Sequence, residues 1–386
     1  MNKIRYGIIG VGNQGSYYAR LFKENKVTNG CLVAVCDINE SKLDNLKLLF
    51  NDEVKYFNNH NSLLDSNLCD AVIIVTPHYF HPSIAIDFLK KDVSVILDKP
   101  AGVYTKQVKE MNEVSKNSKA KFTMMFNQRT NSVYRKMKEM IGNKEIGELQ
   151  RVTWIITDWF RTESYYRNGS WRATWKGEGG GVLINQCPHQ LDLLQWIVGL
   201  PKKVNAFCHY GKWHDIEVED DVTAYLEFSN GATGVFVTTT GEAPGSNRFE
   251  VSGSKGKLIC ENDTLLFYKN ELDNIKVCKE SLKGFDTPKV EIIKVETDNK
   301  NEQHLGIINN FTNSLLGLEE QFVDGKEGIN NVELMNAIEL SGFRNGASVT
   351  LPVNEEEYLE ELNKRRASSR YKESNDDVVM DTSNSF

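Results

Sequence analysis

The run GGGVLINQCPHQLDLLQW, residues 179–196, places His189 between a glycine-rich turn and an apolar segment. An imidazole at this position has three possible uses: it can pack in a core, bind a metal ion or move a proton. A metal site needs several clustered ligands, and the neighbouring sequence offers only Cys187. As a general base, a neutral imidazole can take the proton of a hydroxyl group near pH 7. Residue types alone leave packing and proton transfer open.

A second candidate lies in ILDKPAG, where Asp98, Lys99 and Pro100 follow a strand-like run. The carboxyl end of a central strand is where open α/β sheets bind their ligands. A lysine there can donate hydrogen bonds to a substrate hydroxyl and favour its ionisation. The alternative is a solvated side chain, which is the usual state of an isolated lysine.

The motif with the most specific context is GIIGVGNQG, which has Gly10, Gly12 and Gly15 in G-x-G-x-x-G spacing between strand-like and helix-like segments. The first glycine allows a tight turn, the second lets the backbone approach a pyrophosphate, and the third lets the helix pack on the strand. The following helix, which includes Asn13 and Gln14, offers N–H groups to phosphate at its N-terminus. The alternative is an ordinary glycine turn.

Asp37 ends the second strand-like run, about 22 residues after Gly15. A carboxylate there can accept both ribose hydroxyls and repels a 2′-phosphate. The next four residues, INES, include no arginine. We therefore expect NAD as the cofactor in preference to NADP, the alternative being an aspartate that only caps a helix.

The elements that position these residues change character along the chain. Over residues 1–125, short apolar runs alternate with helix-like segments, which predicts a parallel sheet covered on both faces. Over 203–297 strand-like runs dominate, and Asn230-Gly231 predicts a hairpin. Residues 304–316 and 329–343 have helical periodicity, and we expect both helices to cover this second sheet.

The predicted fold therefore combines α/β and α+β architecture. An N-terminal Rossmann-type parallel-sheet domain spans residues 1–125. A C-terminal α+β domain, built on a large and mostly antiparallel sheet, spans 126–365. Residues 366–386 form a polar tail that we expect to be mobile or to act as an arm on a neighbouring chain.

Composition argues against several functional classes. The net charge of −7 comes with no basic stripe, so nucleic acid is not an expected partner, and no apolar run is long enough for a membrane span. The N-terminus runs directly into the glycine motif and lacks the pattern of a signal peptide. The seven cysteines are scattered and form no C-x-x-C pair, which predicts free thiols in a reducing cytoplasm and no structural zinc site.

Five segments occur together in one order: GIIGVGNQG, VTPHYFH, ILDKPAG, FNQR and GGGVLINQCPHQLDLLQW. In this order they resemble the Gfo/Idh/MocA oxidoreductases, the family of glucose–fructose oxidoreductase and inositol dehydrogenase. The resemblance covers roughly residues 3–360. It implies a Rossmann domain that binds NAD and a second domain that binds a small-molecule substrate.

The resemblance also assigns roles to residues. It implies that Lys99 lies against cofactor and substrate, and that the Asp98 strand end belongs to the cofactor site. The family's nicotinamide-side segment corresponds to Thr76, Pro77, His78 and His81, with His78 at a position where asparagine is usual. The family's N-x-R pair corresponds to Asn127, expected at the cofactor, and Arg129, expected at the substrate.

The family's catalytic D-x-x-x-H pair falls on Asn185 and His189, so the histidine is kept and the aspartate is not. An asparagine cannot accept a proton and can only hold and orient. We therefore expect His189 to act as the base, with Lys99 assisting and Asn185 orienting. If one helix includes Asn185, then Asn185, His189 and Asp192 share a face.

The segment 158–175 is rich in aromatic residues and arginine. Faces on which a sugar ring stacks can come from Tyr165, Tyr166, Trp171 and Trp175. Arg172 can reach the nicotinamide amide or substrate hydroxyls. The alternative for several of these rings is core packing or an oligomer contact. The resemblance is closest to the sugar and glycoside branch of the family. It therefore implies oxidation of a secondary ring hydroxyl to a ketone, or the reverse reaction, with position 3 of a hexopyranoside as the first candidate.

Two other functions stay open at this stage. One is a glycoside-cleaving enzyme that uses bound NAD transiently, and the other is a dinucleotide-binding sensor without turnover. For all three we expect a small-molecule ligand such as a sugar, glycoside or cyclitol, with no membrane partner. A broad second-domain sheet further predicts a homodimer or homotetramer.

Overall fold

The computed structural model describes residues 3–167, 169 and 171–370, and the chain divides into two compact units. Unit 1 runs from the N-terminus to Thr130 and includes Asn301–Val332. Unit 2 contains Asn131–Lys300 and the chain from Glu333 onward. The division differs from the predicted domain bounds chiefly at 301–332, where the chain returns to the first unit.

Unit 1 is built on a six-stranded sheet in the order β3-β2-β1-β4-β5-β6, and all its described strand pairs are parallel. The strands are β1 (Ile4–Ile9), β2 (Gly30–Cys36), β3 (Lys55–Phe57), β4 (Ala71–Ile74), β5 (Ser94–Leu97) and β6 (Phe122–Met124). The helices between them are α1 (Asn13–Lys23), α2 (Glu40–Phe50), α3 (His60–Asp65), α4 (His81–Leu89) and α5 (Thr105–Asn117). The predicted Rossmann-type domain is confirmed.

The central strands explain the apolar runs of the N-terminal sequence. Every residue of β4 and β5 is buried, as expected for parallel strands that carry helices on both faces. The direction of strand addition reverses between β1 and β4, so their carboxyl ends form the switch point at which open α/β sheets bind ligands.

Unit 2 is built on a nine-stranded sheet in the order β14-β13-β12-β11-β7-β10-β9-β8-β15, in which only the β7–β10 pair is parallel among the described residues. The strands are β7 (Leu149–Ile156), β8 (Lys203–Tyr210), β9 (Glu219–Glu227), β10 (Thr233–Thr239), β11 (Asn247–Gly253), β12 (Gly256–Glu261), β13 (Thr264–Asn270), β14 (Val290–Lys294) and β15 (Val349–Thr350). The helices before and within this region are α6 (Ser132–Gly142), α7 (Glu163–Arg167), α8 (Val182–Asn185), α9 (Pro188–Val198) and α10 (Asn274–Glu280). The mostly antiparallel sheet is confirmed.

One face of this sheet carries the core of unit 2. Trp154 of β7 stacks on Phe249 of β11 with ring centroids 4.1 Å apart, and Phe236 of β10 meets Trp154 edge-on. Asn230-Gly231 turns the chain between the antiparallel strands β9 and β10, as predicted. Gly231 has φ of +86°, a conformation that glycine adopts without strain.

The helices that follow are divided between the units. They are α11 (Gln303–Leu315), α12 (Gly328–Phe343) and α13 (Glu355–Ala367). The expectation that the first of them covers the antiparallel sheet is wrong: in α11, Thr312 hydrogen-bonds the hydroxyl of Tyr6 in β1 at 2.8 Å. The end of α12 does lie against the second sheet, since Ser341 accepts a hydrogen bond from the backbone of Ala206 in β8. Periodicity shows that a helix must cover an apolar surface, but it does not show which surface.

The predicted tail begins inside an ordered helix. Helix α13 continues to Ala367, and after it Ser369 and the backbone N–H of Arg370 both donate to the carboxylate of Glu217. Residues 371–386, which make up the rest of the predicted tail, lie outside the described residues.

Candidate active site

The glycine motif forms the turn between β1 and α1. Gly10 has φ of +92°, and a Cβ there would lie 2.4 Å from the carbonyl oxygen of Val75. A Cβ on Gly15 would lie 1.9 Å from the carbonyl oxygen of Gly10. At Gly12, by contrast, a Cβ would meet nothing within 4 Å. Gly10 and Gly15 are therefore required by the turn itself, whereas Gly12 keeps space open beside the backbone.

This open position lies at the start of α1. Gly12 is the N-cap residue, and Asn13 and Gln14 begin the helix, with Asn13 exposed and Gln14 half-buried. Unpaired N–H groups and the helix dipole favour an anion there. The residues present thus fit the pyrophosphate of a dinucleotide, which needs close approach to the backbone at the second glycine.

Asp37 directly follows β2, and its side chain is held by the backbone. One carboxylate oxygen accepts the N–H of Val11 at 2.8 Å and the other accepts the N–H of Asn39 at 2.9 Å. The ammonium of Lys42 lies 3.9 Å from the same carboxylate, and the next residue, Ile38, is 91% exposed. The structure therefore fixes an acidic side chain beside the glycine turn, where the adenosine ribose of a dinucleotide lies in this type of fold.

The segment after β4 contains Thr76, Pro77, His78 and His81. The ring of His81 is buried, with Nδ1 2.8 Å from the carbonyl oxygen of Pro100 and Nε2 2.6 Å from that of Thr76. Burial lowers the pKa of His81 to about 4, so the imidazole is neutral and can donate to only one of the two carbonyls at a time. His81 joins the loops after β4 and β5, and it supports the cofactor side without exposing its own ring.

His78 is also buried, and its ring packs against that of His81 with centroids 5.9 Å apart. Thr76 and Pro77 are half-buried at the carboxyl edge of the sheet. Among these four predicted cofactor residues, Thr76 and Pro77 keep exposed surface that a ligand can contact, whereas His78 and His81 are buried.

Lys99 lies at the carboxyl end of β5, as predicted. Its backbone N–H donates to the side chain of the preceding Asp98 at 2.8 Å, and the Lys99–Pro100 peptide bond is cis. Asp98 is buried, which raises the pKa of its carboxyl to about 6. The lysine side chain itself is half-buried. The buried side chain of Asp98 thus stabilises the chain at the end of β5, while the side chain of Lys99 keeps accessible surface.

Asn127 and Arg129 lie in a short 3₁₀ segment after β6, Asn127–Thr130. The amide of Asn127 donates to the side chain of Gln303 at 2.5 Å. Arg129 is 1% exposed, and its guanidinium binds Glu327 at 2.5 Å and lies 4.9 Å from the ring centre of Phe126. The returning segment 301–332 thus supplies partners for both residues, which local sequence cannot show. The substrate contact of Arg129 stays a prediction, and this burial does not favour it.

The glycine turn at residues 179–181 is packed tightly within unit 2. A Cβ on Gly181 would lie 2.0 Å from the carbonyl oxygen of Glu219, and one on Gly180 would lie 2.7 Å from a carboxylate oxygen of Glu339. The backbone N–H groups of Gly181 and Leu183 donate to the buried carboxylate of Glu219. The glycines at 180 and 181 are therefore explained by close approach to protein atoms.

His189 lies in the first turn of α9, which begins at Pro188 as the sequence predicts. The condition that one helix includes both Asn185 and His189 is not met, because α8 ends at Asn185 and Gln186 and Cys187 separate the two helices. The cause is Pro188, which lacks an N–H and so begins a new helix instead of continuing one. His189 is half-buried, and buried Asp192 accepts a hydrogen bond from Gln195 at 3.0 Å.

Cys187 does not support a metal site. Its sulfur lies 3.0 Å from the hydroxyl of Thr238, and burial raises the pKa of the thiol to about 12. Within residues 3–167, 169 and 171–370, no group of three or more His, Cys, Asp or Glu side chains is arranged to hold a metal ion.

The same part of the chain contains no helix with the length and apolarity that a membrane span requires.

Asn185 lies in a chain of side-chain hydrogen bonds that the sequence does not reveal. The guanidinium of Arg172 donates to the hydroxyl of Tyr165 at 2.6 Å, and this hydroxyl donates to the amide oxygen of Asn185 at 3.1 Å. The amide nitrogen of Asn185 in turn donates to a carboxylate oxygen of Glu178. Gln186 donates to both Tyr165 and Asn185 at 3.1 Å. Tyr165, Arg172 and Asn185, predicted separately, are therefore brought together.

The remaining aromatic residues divide between this network and the core. Trp171 is half-buried, and the guanidinium of Arg172 lies 4.9 Å from its ring centre. Tyr166 is buried, and its hydroxyl donates to Thr240 at 2.8 Å. Trp175 is also buried, and its indole N–H donates to the backbone of Glu217. Trp171 thus has surface for a ring to stack on, whereas Tyr166 and Trp175 are core residues.

Glu178 is the member of this hydrogen-bond network that the sequence analysis missed. Its one local signal is a carboxylate enclosed in KGEGGG, directly before an apolar run that must be buried. A charged residue in such a place needs partners. Those partners, Asn185 and the backbone N–H of Ala173, become visible only in the structure.

Comparison with known proteins identifies both units. Residues 4–126 match the model of the GFO/IDH/MocA oxidoreductase family, NAD-binding Rossmann fold, and residues 134–259 match the model of the GFO/IDH/MocA C-terminal domain. Myo-inositol 2-dehydrogenase of Thermotoga maritima is 26% identical over 267 residues, which is 67% of this chain and 75% of that protein. Levoglucosan dehydrogenase of Pseudarthrobacter phenanthrenivorans is 26% identical over 225 residues, 51% of this chain and 57% of that protein.

Solved structures show the same arrangement of elements. The WlbA dehydrogenase from Bordetella pertussis, in complex with NADH and UDP-GlcNAcA, superposes with a TM-score of 0.75 at 25% identity, over 91% of this chain and all of that one. A levoglucosan dehydrogenase, in complex with NADH and levoglucosan, has a TM-score of 0.74 at 18% identity over 91% of this chain and all of that one, a likeness of fold. The chain therefore belongs to the GFO/IDH/MocA oxidoreductases, and its first unit carries that family's NAD-binding Rossmann fold.

Proposed function

We propose that the protein is an NAD-dependent dehydrogenase that moves a hydride between a secondary ring hydroxyl of a sugar, glycoside or cyclitol and the nicotinamide. The observation that carries the substrate class is the network of Arg172, Tyr165, Asn185 and Gln186. Guanidinium, phenol and amide groups recognise hydroxyls by hydrogen bonding. The relatives that act on inositol and levoglucosan, by their names, support the same class.

On the cofactor side, the open backbone at Gly12 and the start of α1 would hold the pyrophosphate, and Asp37 would bind the adenosine ribose. Thr76, Pro77 and Lys99 would border the nicotinamide. NAD is favoured over NADP because a carboxylate at position 37 repels a 2′-phosphate. Lys42, 3.9 Å from Asp37, is the nearby cation that reduces this preference.

On the substrate side, His189 takes the proton of the reacting hydroxyl, and the ammonium of Lys99 stabilises the oxygen as it becomes negative. Asn185 orients the substrate, since an amide can hold but not accept a proton. Trp171 offers the stacking face, and Arg172 binds hydroxyls or the nicotinamide amide. Position 3 of a hexopyranoside is the first position to test.

The experiment is a panel of compounds mixed with NAD or NADP and followed at 340 nm. The panel contains myo-inositol, levoglucosan, methyl hexopyranosides and a UDP-linked hexuronic acid. Reduction of NAD by at least one of these compounds supports the proposal. Release of an aglycone without net NADH would instead identify a glycoside-cleaving enzyme, and NADH binding without turnover of any compound would identify a sensor.

We also propose that unit 2 forms the contact of a homodimer or homotetramer. Ile155, Val237, Thr223 and Phe207 pair in a row across four neighbouring strands, so they share one face of the sheet. Ile155 and Phe207 are exposed on it, Phe207 by 58%. Light scattering of the wild type and of Phe207→Glu tests the contact, and a monomeric wild type would contradict it.

A cytoplasmic location belongs to the same proposal. The seven cysteines are all free, and five of them (Cys36, Cys69, Cys187, Cys208 and Cys260) have thiol pKa values strongly raised by burial. Thiols in that state suit a reducing compartment.

A further inference from the structure

We propose that Glu178 is the carboxylate of the substrate-side network and the positioning residue that fixes the amide of Asn185. Glu178 is the carboxylate that the amide nitrogen of Asn185 contacts. This inference rests on the proposed dehydrogenase function, because it assigns the part that Glu178 plays at that site.

The amide of Asn185 is held from both ends. Its nitrogen donates to one carboxylate oxygen of Glu178, and its oxygen accepts from Tyr165 and Gln186, each at 3.1 Å. An amide has distinct donor and acceptor ends, so these partners allow a single orientation of the side chain. Without the carboxylate, the donor end would lose the acceptor that determines its direction.

Glu178 is itself rigidly placed. It is 1% exposed, and its second carboxylate oxygen accepts the backbone N–H of Ala173 at 2.6 Å. Its own backbone N–H donates to the carbonyl oxygen of Thr174 at 2.9 Å. Ala173 has φ of +53°, which is uncommon for a residue with a Cβ, and the hydrogen bond to Glu178 stabilises that turn. Glu178 therefore fixes Asn185 and the loop of Arg172 together.

The direction of the hydrogen bonds explains why asparagine occupies position 185. From Arg172 through Tyr165 and Asn185 to Glu178, each group donates to the next, beginning at a guanidinium and ending at a carboxyl group. An ionised aspartate at position 185 could not donate to Glu178. It would also place two carboxylates side by side, which disfavours ionisation of one of them. Asn185 and Glu178 are therefore complementary, and their chemical groups should be exchangeable.

Three variants test this exchange: Glu178→Gln, Asn185→Asp and the double variant. Each is measured with the compound of the panel that has the highest kcat/KM. We expect Glu178→Gln to lower kcat by about tenfold to a hundredfold, the effect of losing one hydrogen bond to a charged group. Asn185→Asp should lower kcat similarly at pH 8 and regain activity as the pH falls to 6, since one carboxyl of the pair then binds a proton.

The double variant restores one amide and one carboxylate in exchanged positions. Its kcat should return to within about threefold of the wild type, with the pH profile of the wild type, because the coupling between contacting residues is then recovered. Glu333→Gln is the matched control: Glu333 is a buried carboxylate in unit 2 that accepts the backbone N–H of Val353. Its substitution should change stability but neither kcat nor the pH profile.

A double variant no more active than Asn185→Asp, or a Glu178→Gln variant with full kcat, overturns the proposal. A second measurement needs no substrate: the unfolding midpoints of the same variants at pH 6 and pH 8 test the coupling of positions 178 and 185 through stability. If no compound of the panel is turned over, the proposed function fails. If the midpoint shifts of the two single variants simply add in the double variant, the two positions are not coupled and this inference fails. NADH affinity, measured by fluorescence, should stay within about twofold of the wild type in all three variants, because positions 178 and 185 are proposed to act on the substrate and not on the cofactor.

Discussion

The carboxylate of Asp37, at the end of β2, accepts the backbone N–H of Val11 at 2.8 Å and so connects two neighbouring strand ends of the Rossmann sheet. Val11 lies between Gly10 and Gly12, so the residue expected to select the cofactor also stabilises the glycine turn. A substitution at position 37 therefore affects both specificity and the turn, and a test must separate the two effects.

Asp37→Ser combined with Ile38→Arg should shift the cofactor preference toward NADPH. Serine removes the charge that repels a 2′-phosphate, and the exposed position 38 gives an arginine room to meet that phosphate. Fluorescence titration should show the ratio of the NADPH and NADH dissociation constants falling by about a hundredfold, the effect of roughly 3 kcal/mol. An unchanged ratio, with unchanged stability, would place the ribose elsewhere.

The glycines of the first turn should separate binding from folding. Gly12→Ala should keep the unfolding temperature of the wild type and weaken NADH binding at least about tenfold, because its Cβ enters open space that the cofactor needs. Gly15→Ala should destabilise unit 1 by about 1–3 kcal/mol or more, because its Cβ overlaps the carbonyl of Gly10. Thermal unfolding and NADH fluorescence measure the two effects, and equal destabilisation by both variants would contradict this assignment.

His189→Ala and Lys99→Ala should each remove turnover and leave NADH binding measurable. Loss of a general base lowers kcat by about 10²- to 10⁴-fold, and the loss of Lys99 removes the charge that stabilises the developing oxyanion. Steady-state kinetics with the best compound of the panel provide the measurement. The exposed residues His209 and Lys91 give matched controls, and His209→Ala and Lys91→Ala should retain wild-type kcat. Full activity in either site variant would remove that residue from the mechanism.

The buried carboxyl groups of Glu219 and Glu339 should make the protein less stable as the pH rises from 6 to 8. Burial raises the pKa of Glu219 to about 7. Burial also raises the pKa of Glu339 well above its usual value, with the charge of Glu219 adding to the effect. A carboxyl whose folded-state pKa lies above its unfolded value contributes stability below the unfolded value, near 4.5, and loses it as the pH rises through the folded value. Backbone N–H groups stabilise the anion of Glu219, so Glu339 is the group that keeps the proton.

Glu339→Gln should therefore reduce this loss of stability. Glutamine keeps an oxygen for the hydroxyl of Tyr358 but carries no charge to bury. Urea unfolding at pH 6 and pH 8 should show a difference on the order of 1–3 kcal/mol in the wild type and a smaller one in the variant. Glu250→Gln is the control, because ion pairs lower the pKa of Glu250 and its pH effect lies on the acid side. A variant with the pH dependence of the wild type would show that Glu339 is not the titrating group.

The sequence by itself determined the Rossmann sheet, the glycine turn, the mostly antiparallel second sheet and the start of α9 at Pro188. These features depend on local order: buried parallel strands require apolar runs, a tight turn requires glycine at fixed spacing, and Pro188 requires a helix start. Such constraints act over a few residues and are therefore visible in a short window.

The tertiary structure alone decided which distant residues meet. It placed α11 with the first sheet, gave Arg129 a partner in Glu327, and set Glu178 against Asn185. Helical periodicity and residue type require that apolar faces be covered and buried charges be paired, but many partners can satisfy either need. The selection follows from packing the whole chain, which places the carboxylate of Glu178 beside the amide of Asn185.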